Sequence, residues 1–298
     1  MPLICYVNGE FVPAERAAVS AFDHGFLYGD GIFESLTVSD GRIFKLGEHL
    51  DRLEKSARAL RLALPENRDR LAGIVKEAVR RSGARDVYVR IVVTRGAGYP
   101  LLDPRVTTGP SLVVLLHPPT PPAETGTSYR ARGAGLRLKT AAVRKVPAEA
   151  FEPRVKSLNY LNNVLARIEA IESGCDEAIL LDMRGFVAEA AGENIFVVSA
   201  RKLKTPRALQ VLDGITRRTV LDLARRAGLA CEETDLTLYD LYTADECFLT
   251  SSFSRIHAVA EVDGRPVPAP GPITRQLREQ ILELERTEGE LISRGDTP

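Results

Sequence analysis

Tight-turn dipeptides set between strand-like runs constrain this chain more than any other feature. Asn8-Gly9, Asp40-Gly41, Arg184-Gly185 and Asp263-Gly264 each separate two such runs, and a glycine after a short polar residue suits the two-residue loop of a hairpin. Hairpins join antiparallel neighbours. Helical patterns interrupt them at 46–61, 68–82, 157–173, 216–227 and 273–287, without the strict alternation of a doubly wound parallel sheet. The expected fold class is therefore α+β (α/β mixed), with mixed sheets and flanking helices. A chain of 298 residues holds two cores. The proline-rich run from His117 to Pro122 cannot donate a regular ladder and favours an extended spacer. The expected division is a small α/β domain at 1–118, a linker at 119–128 and a large domain at 129–298.

Forty basic and forty acidic side chains cancel, and no long block of like charge stands out. Neither nucleic acid nor an anionic membrane finds an electrostatic footprint, so the expected partner is a small molecule. The N-terminus has no basic segment followed by an apolar one, and no later stretch is long enough to span a bilayer, which predicts a cytoplasmic protein. Cys5, Cys175, Cys231 and Cys247 are isolated. They read as reduced and structural, with no metal site.

Lys156 lies in Arg154-Val155-Lys156-Ser157-Leu158-Asn159-Tyr160, just before a helix on which Leu161, Val164, Leu165, Ile168 and Ile171 recur at helical spacing. The pattern predicts that this apolar face is buried and that the first turn gives the lysine a fixed mount. A fixed amine can attack a carbonyl and form a Schiff base. A lone lysine beside a helix start is ordinarily solvated, so its companions decide.

Asp213-Gly214-Ile215-Thr216 reads as a glycine-relaxed turn opening a helix with Val220, Leu221, Leu223, Ala224 and Ala227 toward a core. Its first-turn N–H groups and the Thr216 hydroxyl suit a phosphate, although any capped helix start offers similar donors. Thr250-Ser251-Ser252-Phe253-Ser254 after an apolar strand is a second anion cradle or a plain turn. Two cradles suggest a ligand with more than one anionic group. The run from Asp176 to Val198 reads as three strand-like segments. Within it, Glu189 beside Ala188 and Ala190 suits a cationic ring nitrogen, Glu193 is a solvated residue or a backbone clamp, and Asn194 holds the turn.

Along Val87 to Thr94, the residues Val87, Val89, Ile91 and Val93 share one face. Tyr88 and Arg90 share the other, routine if it meets solvent and a carboxylate anchor if it lines a cleft. The aromatics Phe22, Phe26, Tyr28 and Phe33 lie among three glycines, a set that suits either the wall of an apolar pocket or a glycine-rich loop packed against a sheet. Arg52 sits beside a helical stripe of Leu46, Leu50, Leu53, Ala57 and Leu60, placed to snorkel or to reach a phosphate.

Taken in order, these segments resemble the fold-type IV, pyridoxal-phosphate-dependent class IV aminotransferases over almost the whole chain. The resemblance rests on His24-Gly25 to Phe33-Glu34, which matches HGxxYGDGxFE, on Arg52, on Lys156 to Leu161, on Glu189 to Ile195 and on Gly214-Ile215-Thr216-Arg217. It implies that Lys156 is the catalytic residue, carrying pyridoxal 5′-phosphate as a Schiff base and moving the substrate proton. It further implies that Glu189 pairs with the pyridinium nitrogen, that Tyr160 hydrogen-bonds the phenolic oxygen, and that Arg52, Ile215, Thr216 and Ser252 hold the phosphate.

Tyr88-Val89-Arg90 resembles the Tyr-x-Arg of branched-chain aminotransferases, which helps orient the substrate α-carboxylate; Phe33, Thr37 and Phe253 complete the implied substrate set. Thr37 stands where those enzymes carry arginine, and Phe253 stands in a turn that they fill with small residues. The implied activity is ping-pong transfer of an amino group from a branched-chain L-amino acid to 2-oxoglutarate. Alternatives are a D-amino acid or (R)-amine transaminase, or a lyase resembling 4-amino-4-deoxychorismate lyase. Against the D-specific form, the 95–105 loop has no Arg-x-His pair. The resemblance also implies a homodimer or higher homo-oligomer.

Overall fold

The computed structural model describes residues 4–118 and 135–292; the expected linker at 119–128 lies outside them. In chain order the elements are β1 (Ile4–Val7), β2 (Glu10–Pro13), α1 (His24–Tyr28), β3 (Gly31–Ser39), β4 (Arg42–Ile43), α2 (Leu46–Ala59), α3 (Arg68–Ser82), β5 (Val87–Thr94), β6 (Ser111–His117), β7 (Leu136–Thr140), α4 (Leu161–Glu172), β8 (Glu177–Leu181) and β9 (Val187–Ala190). They continue with β10 (Asn194–Ser199), β11 (Lys202–Thr205), α5 (Ile215–Arg226), β12 (Ala230–Glu233), α6 (Leu238–Tyr242), β13 (Glu246–Ser251), β14 (Arg255–Val262), β15 (Arg265–Pro266), α7 (Pro272–Glu288) and β16 (Glu290–Leu291).

Turn chemistry sets the hairpins. Asn8 and Gly9, Asp40 and Gly41, and Asp263 and Gly264 all have positive φ, the backbone of a type I′ loop whose twist matches its strands. They close β1/β2, β3/β4 and β14/β15. At Arg184-Gly185 only the glycine has positive φ, and the Asp182 carboxylate braces that turn by accepting from the Arg184 and Phe186 N–H groups.

Two compact units result. One comprises Met1–Pro119, Val155–Asn159 and Glu285–Pro298, the other Thr120–Arg154 and Tyr160–Leu284. The units are therefore not contiguous in sequence, and the short stretch that carries Lys156 packs with the first. The first unit's sheet runs β16-β4-β3-β5-β6-β1-β2 and is antiparallel at every pairing. Its central strands are buried because α2 lays Leu46, Leu50 and Leu53 against the sheet and α3 lays Leu71, Ile74, Val75 and Val79. The second sheet runs β12-β11-β10-β13-β14-β7-β8-β9, with β15 on β14, and is mixed: β11/β12, β14/β7 and β7/β8 are parallel. No helix among the described residues is long and apolar enough to cross a membrane.

Helix α4 departs from expectation twice. It begins at Leu161, because the backbone of Lys156 to Leu158 is hydrogen-bonded to β3 instead of coiling. Its apolar face is also not the buried one: Leu161, Val164, Leu165, Ile168 and Ile171 are exposed, whereas Asn163, Ala166 and Ala170 are buried. The reason is steric. Ala166 and Ala170 pack with Ala141, Ala178, Leu180 and Ala191, and only small side chains let a helix backbone approach a strand so closely. Helix α5 buries Val220, Leu221, Leu223 and Ala224 as expected, but Ala227 lies past its end and is exposed.

Candidate functional site

Lys156 is mounted on a strand rather than on the helix that follows it. Phe33 N–H donates to the Lys156 carbonyl and Leu158 N–H donates to Gly31, both at 2.9 Å. Ser157 bridges Ile32 antiparallel, and Lys156 N–H donates to the Ser56 hydroxyl of α2 at 3.3 Å. The backbone is thus held on two sides. The half-buried ammonium lies 4.6 Å from the centroid of the Phe33 ring, within range of cation–π attraction.

Beside it, Glu34 is wholly buried and takes hydrogen bonds from Arg52 Nε (2.6 Å), Arg52 Nη2 (2.8 Å) and His49 Nδ1 (2.7 Å). Burial alone would raise the Glu34 carboxyl. The charge of Arg52 and the hydrogen bonds from Arg52 and His49 outweigh it and hold the group well below the usual carboxylate range. Burial pushes the His49 imidazole down despite that carboxylate, so His49 is neutral near pH 7. Its Nδ1 carries the hydrogen, because an ionised carboxylate only accepts. Arg52, read from the sequence as a phosphate ligand, is therefore oriented through a bidentate carboxylate pair that the sequence did not reveal.

Strand register places the substrate-side candidates together. Phe33, Ser35 and Thr37 of β3 stand opposite Val92, Arg90 and Tyr88 of β5, and side chains at every second position share a face. That face is not solvated: Phe33, Ser35, Thr37 and Tyr88 are buried and Arg90 half-buried. The Arg90 guanidinium carbon lies 4.8 Å from the Phe33 centroid, and the Tyr88 ring meets His117 at 4.5 Å. Among the glycine-loop aromatics only Phe33 is buried; Phe22 and Phe26 are exposed and wall nothing within their own unit. Phe26 lies on the outer side of the short helix, and Phe22 precedes its cap.

The second unit carries the other candidates. Glu189 on β9 is 5% exposed, with Oε1 2.6 Å from Lys145 Nζ. Its Oε2 accepts from Asn194 Nδ2 and Leu212 N–H, each at 3.2 Å. A carboxylate this deep needs such a partner. Lys145 gave no signal in the sequence, because it lies in irregular chain fixed by a bond from its own N–H to the Leu181 carbonyl. Asn194 also donates to the Leu212 carbonyl at 2.9 Å and so ties Glu189 to the turn before α5.

That helix begins at Ile215 with no side-chain cap on its first-turn N–H groups, unlike α1, α3 and α6, which Asp23, Asn67 and Thr237 cap. Ile215 and Thr216 are buried in its first turn. Ser252 and Phe253 are half-buried in the turn between β13 and β14, which a 2.7 Å bond between the Ser251 and Ser254 hydroxyls braces. Tyr160, half-buried, precedes α4. Glu193 is buried rather than solvated, with Oε1 3.5 Å from His257 Nδ1.

Residues 31–262 match the family model for amino-transferase class IV. The chain is 45% identical over 282 residues to the putative branched-chain-amino-acid aminotransferase of Methanocaldococcus jannaschii, spanning 94% of this chain and 95% of that protein. It is 32% identical over 292 residues to the D-alanine aminotransferase of Listeria monocytogenes, spanning 96% and 98%. Among solved structures, the T.th. branched-chain amino acid aminotransferase complexed with N-(5′-phosphopyridoxyl)-L-glutamate superposes with a TM-score of 0.87 at 33% identity, covering 96% of this chain and 94% of that one. The chain belongs to the class IV aminotransferases.

Proposed function

We propose that this aminotransferase uses pyridoxal 5′-phosphate to move the amino group of a branched-chain L-amino acid to 2-oxoglutarate. One observation carries the reading: Lys156 is pinned by its backbone to β3, with its ammonium beside the ring of Phe33 and the Arg90 guanidinium near the same ring. The residues fit the cofactor. The α5 start keeps its first-turn N–H groups clear of any side-chain cap, as a phosphate requires, and Glu189 is a buried carboxylate.

When bound, pyridoxal phosphate supplies an aldehyde that captures amines and a ring that withdraws electrons from the substrate α-carbon. Lys156 Nζ would hold the aldehyde of the bound cofactor and would take and return the proton of the substrate α-carbon. Glu189, kept in place by Lys145, Asn194 and Leu212, would balance a positive ring nitrogen. Arg52, oriented by Glu34, would be a phosphate ligand, as would Ile215, Thr216 and Ser252, and Tyr160 would hydrogen-bond the phenolic oxygen. Phe33 gives an apolar side chain its wall, while Tyr88 and Arg90 orient a carboxylate. Thr37 and Phe253 adjust which side chains fit.

Half-reaction spectroscopy tests the proposal: L-leucine or L-valine should convert the bound cofactor to its amine form, and 2-oxoglutarate should restore it. Conversion by D-alanine or (R)-1-phenylethylamine without reaction of the L-amino acids would refute the substrate assignment. Pyruvate release from aminodeoxychorismate without a keto-acid acceptor would instead establish a lyase.

A further inference from the structure

We infer that Ser35 is a further substrate-binding residue, its hydroxyl acting with the Arg90 guanidinium to take one carboxylate of the substrate; the inference rests on the reading of Lys156 given above. Ser35 stands directly opposite Arg90 in the antiparallel β3/β5 register, so the two side chains are neighbours on one face. Ser35 is 8% exposed, and its Oγ is buried with no hydrogen-bond partner among the described residues. Arg90 Nε is likewise buried without a partner. Buried polar atoms are almost always paired, and an adjacent orphaned hydroxyl and guanidinium N–H call for an acceptor.

The surroundings narrow what that acceptor is. The Ser35 backbone already belongs to the β3/β5 ladder, and its hydroxyl has turned to none of the neighbouring carbonyls. Both donors lie in a buried strip, with Phe33 and Val92 on one side and Tyr88 and the hydroxyl-bearing Thr37 on the other. In such surroundings a hydrogen bond to a charged acceptor is strengthened. The guanidinium adds positive charge, so the acceptor that fits is an anion. Its place is near the reacting amine, because Phe33, two residues before Ser35 on the same face, has Arg90 Cζ at 4.8 Å and Lys156 Nζ at 4.6 Å from its ring centroid. Every amino acid and keto acid that an aminotransferase handles carries a carboxylate there for recognition.

Isothermal titration calorimetry of the holoenzyme with two unreactive acids tests the pair, glutarate having two carboxylates and 4-methylvalerate one. Ser35→Ala, which removes only the hydroxyl, should weaken glutarate binding roughly tenfold to a hundredfold, the effect of losing a hydrogen bond to a charged group. An equal loss for 4-methylvalerate assigns the pair to the carboxylate common to all substrates, and a loss for glutarate alone assigns it to the second carboxylate of a dicarboxylate. Arg90→Gln combined with Ser35→Ala should lose less than the product of the single losses, because both donors serve one group. Wild-type affinity for both acids in Ser35→Ala, independent losses in the double variant, or no binding of either acid by the wild type overturns the inference. Absence of a Lys156-dependent visible band in the wild type would defeat the cofactor reading instead, a result independent of the Ser35 comparison.

Discussion

Replacing Glu34 by glutamine tests the electrostatic centre of the first unit. The carboxylate has no exposed surface and accepts three hydrogen bonds, two from Arg52 and one from His49. Glutamine keeps the shape but offers one acceptor oxygen, and its amide sets a donor against a donor. It also strips its counter-charge from a guanidinium that is only 8% exposed. Breaking one side of a buried, hydrogen-bonded pair costs about 3–5 kcal/mol, and Arg52 is too deep for the near-zero value of a surface pair. At roughly 2 °C or more per kcal/mol in domains of this size, the apoprotein should lose about 6 °C or more in Tm by scanning calorimetry. Affinity for pyridoxal phosphate should fall as well, because Arg52 loses its orientation. Arg52→Met in the Glu34→Gln background should recover part of the stability. A Tm within about 1 °C of wild type would refute the coupling, since that is the scale of a surface substitution.

The same cluster predicts acid sensitivity. Because folding lowers the proton affinity of His49, the unfolded chain takes up its proton first as pH falls through 6.5, and stability declines there. A second decline follows below 4.5, where unfolded Glu34 protonates while the folded carboxylate stays ionised. Urea midpoints measured from about pH 8 to about pH 4 should fall monotonically, and a rise below the imidazole range would contradict the assignment. At the turn before α5, Gly214→Ala would place a Cβ 2.1 Å from Asn194 Oδ1. Displacing Asn194 should cost about 1–3 kcal/mol and weaken pyridoxal phosphate binding in equilibrium dialysis; unchanged affinity would separate that turn from the cofactor. Ala166→Leu should destabilise the protein by about 1–3 kcal/mol through overpacking against β8, although the helical pattern alone places Ala166 outside the apolar stripe; a neutral result in urea denaturation would restore that stripe as the buried face.

What the sequence made legible was local. Helix α3 spans Arg68–Ser82 as read, because Asn67 caps its start and Gly83 turns left-handed after its end, both short-range signals. The hairpin dipeptides worked for the same reason. Lys156, Arg52 and Glu189 stand out through motif order, and the side chains that pair with them do not. Glu34 lay within a recognised motif, yet its pairing with Arg52 and His49 exists only once α2 lies on β3. Lys145 meets Glu189 across 44 residues of chain, and Lys156 to Leu158 reach β3 across more than a hundred. No periodicity encodes such contacts. The face of α4 was misread because periodicity locates a stripe without naming the surface that receives it, and here alanines, by their smallness, decided the contact. Ser35 escaped notice because an isolated serine in a strand carries no signal until its opposite neighbour is known.

The central claim is that Lys156 holds the cofactor. Its most direct test is borohydride reduction of the protein after incubation with pyridoxal 5′-phosphate, followed by peptide mass spectrometry and a visible spectrum taken before reduction. The wild-type protein should be yellow and carry a phosphopyridoxyl adduct on the peptide containing Lys156, and Lys156→Ala should lose both the band and the adduct. An adduct on another lysine, or a visible band that survives Lys156→Ala unchanged, would contradict the claim.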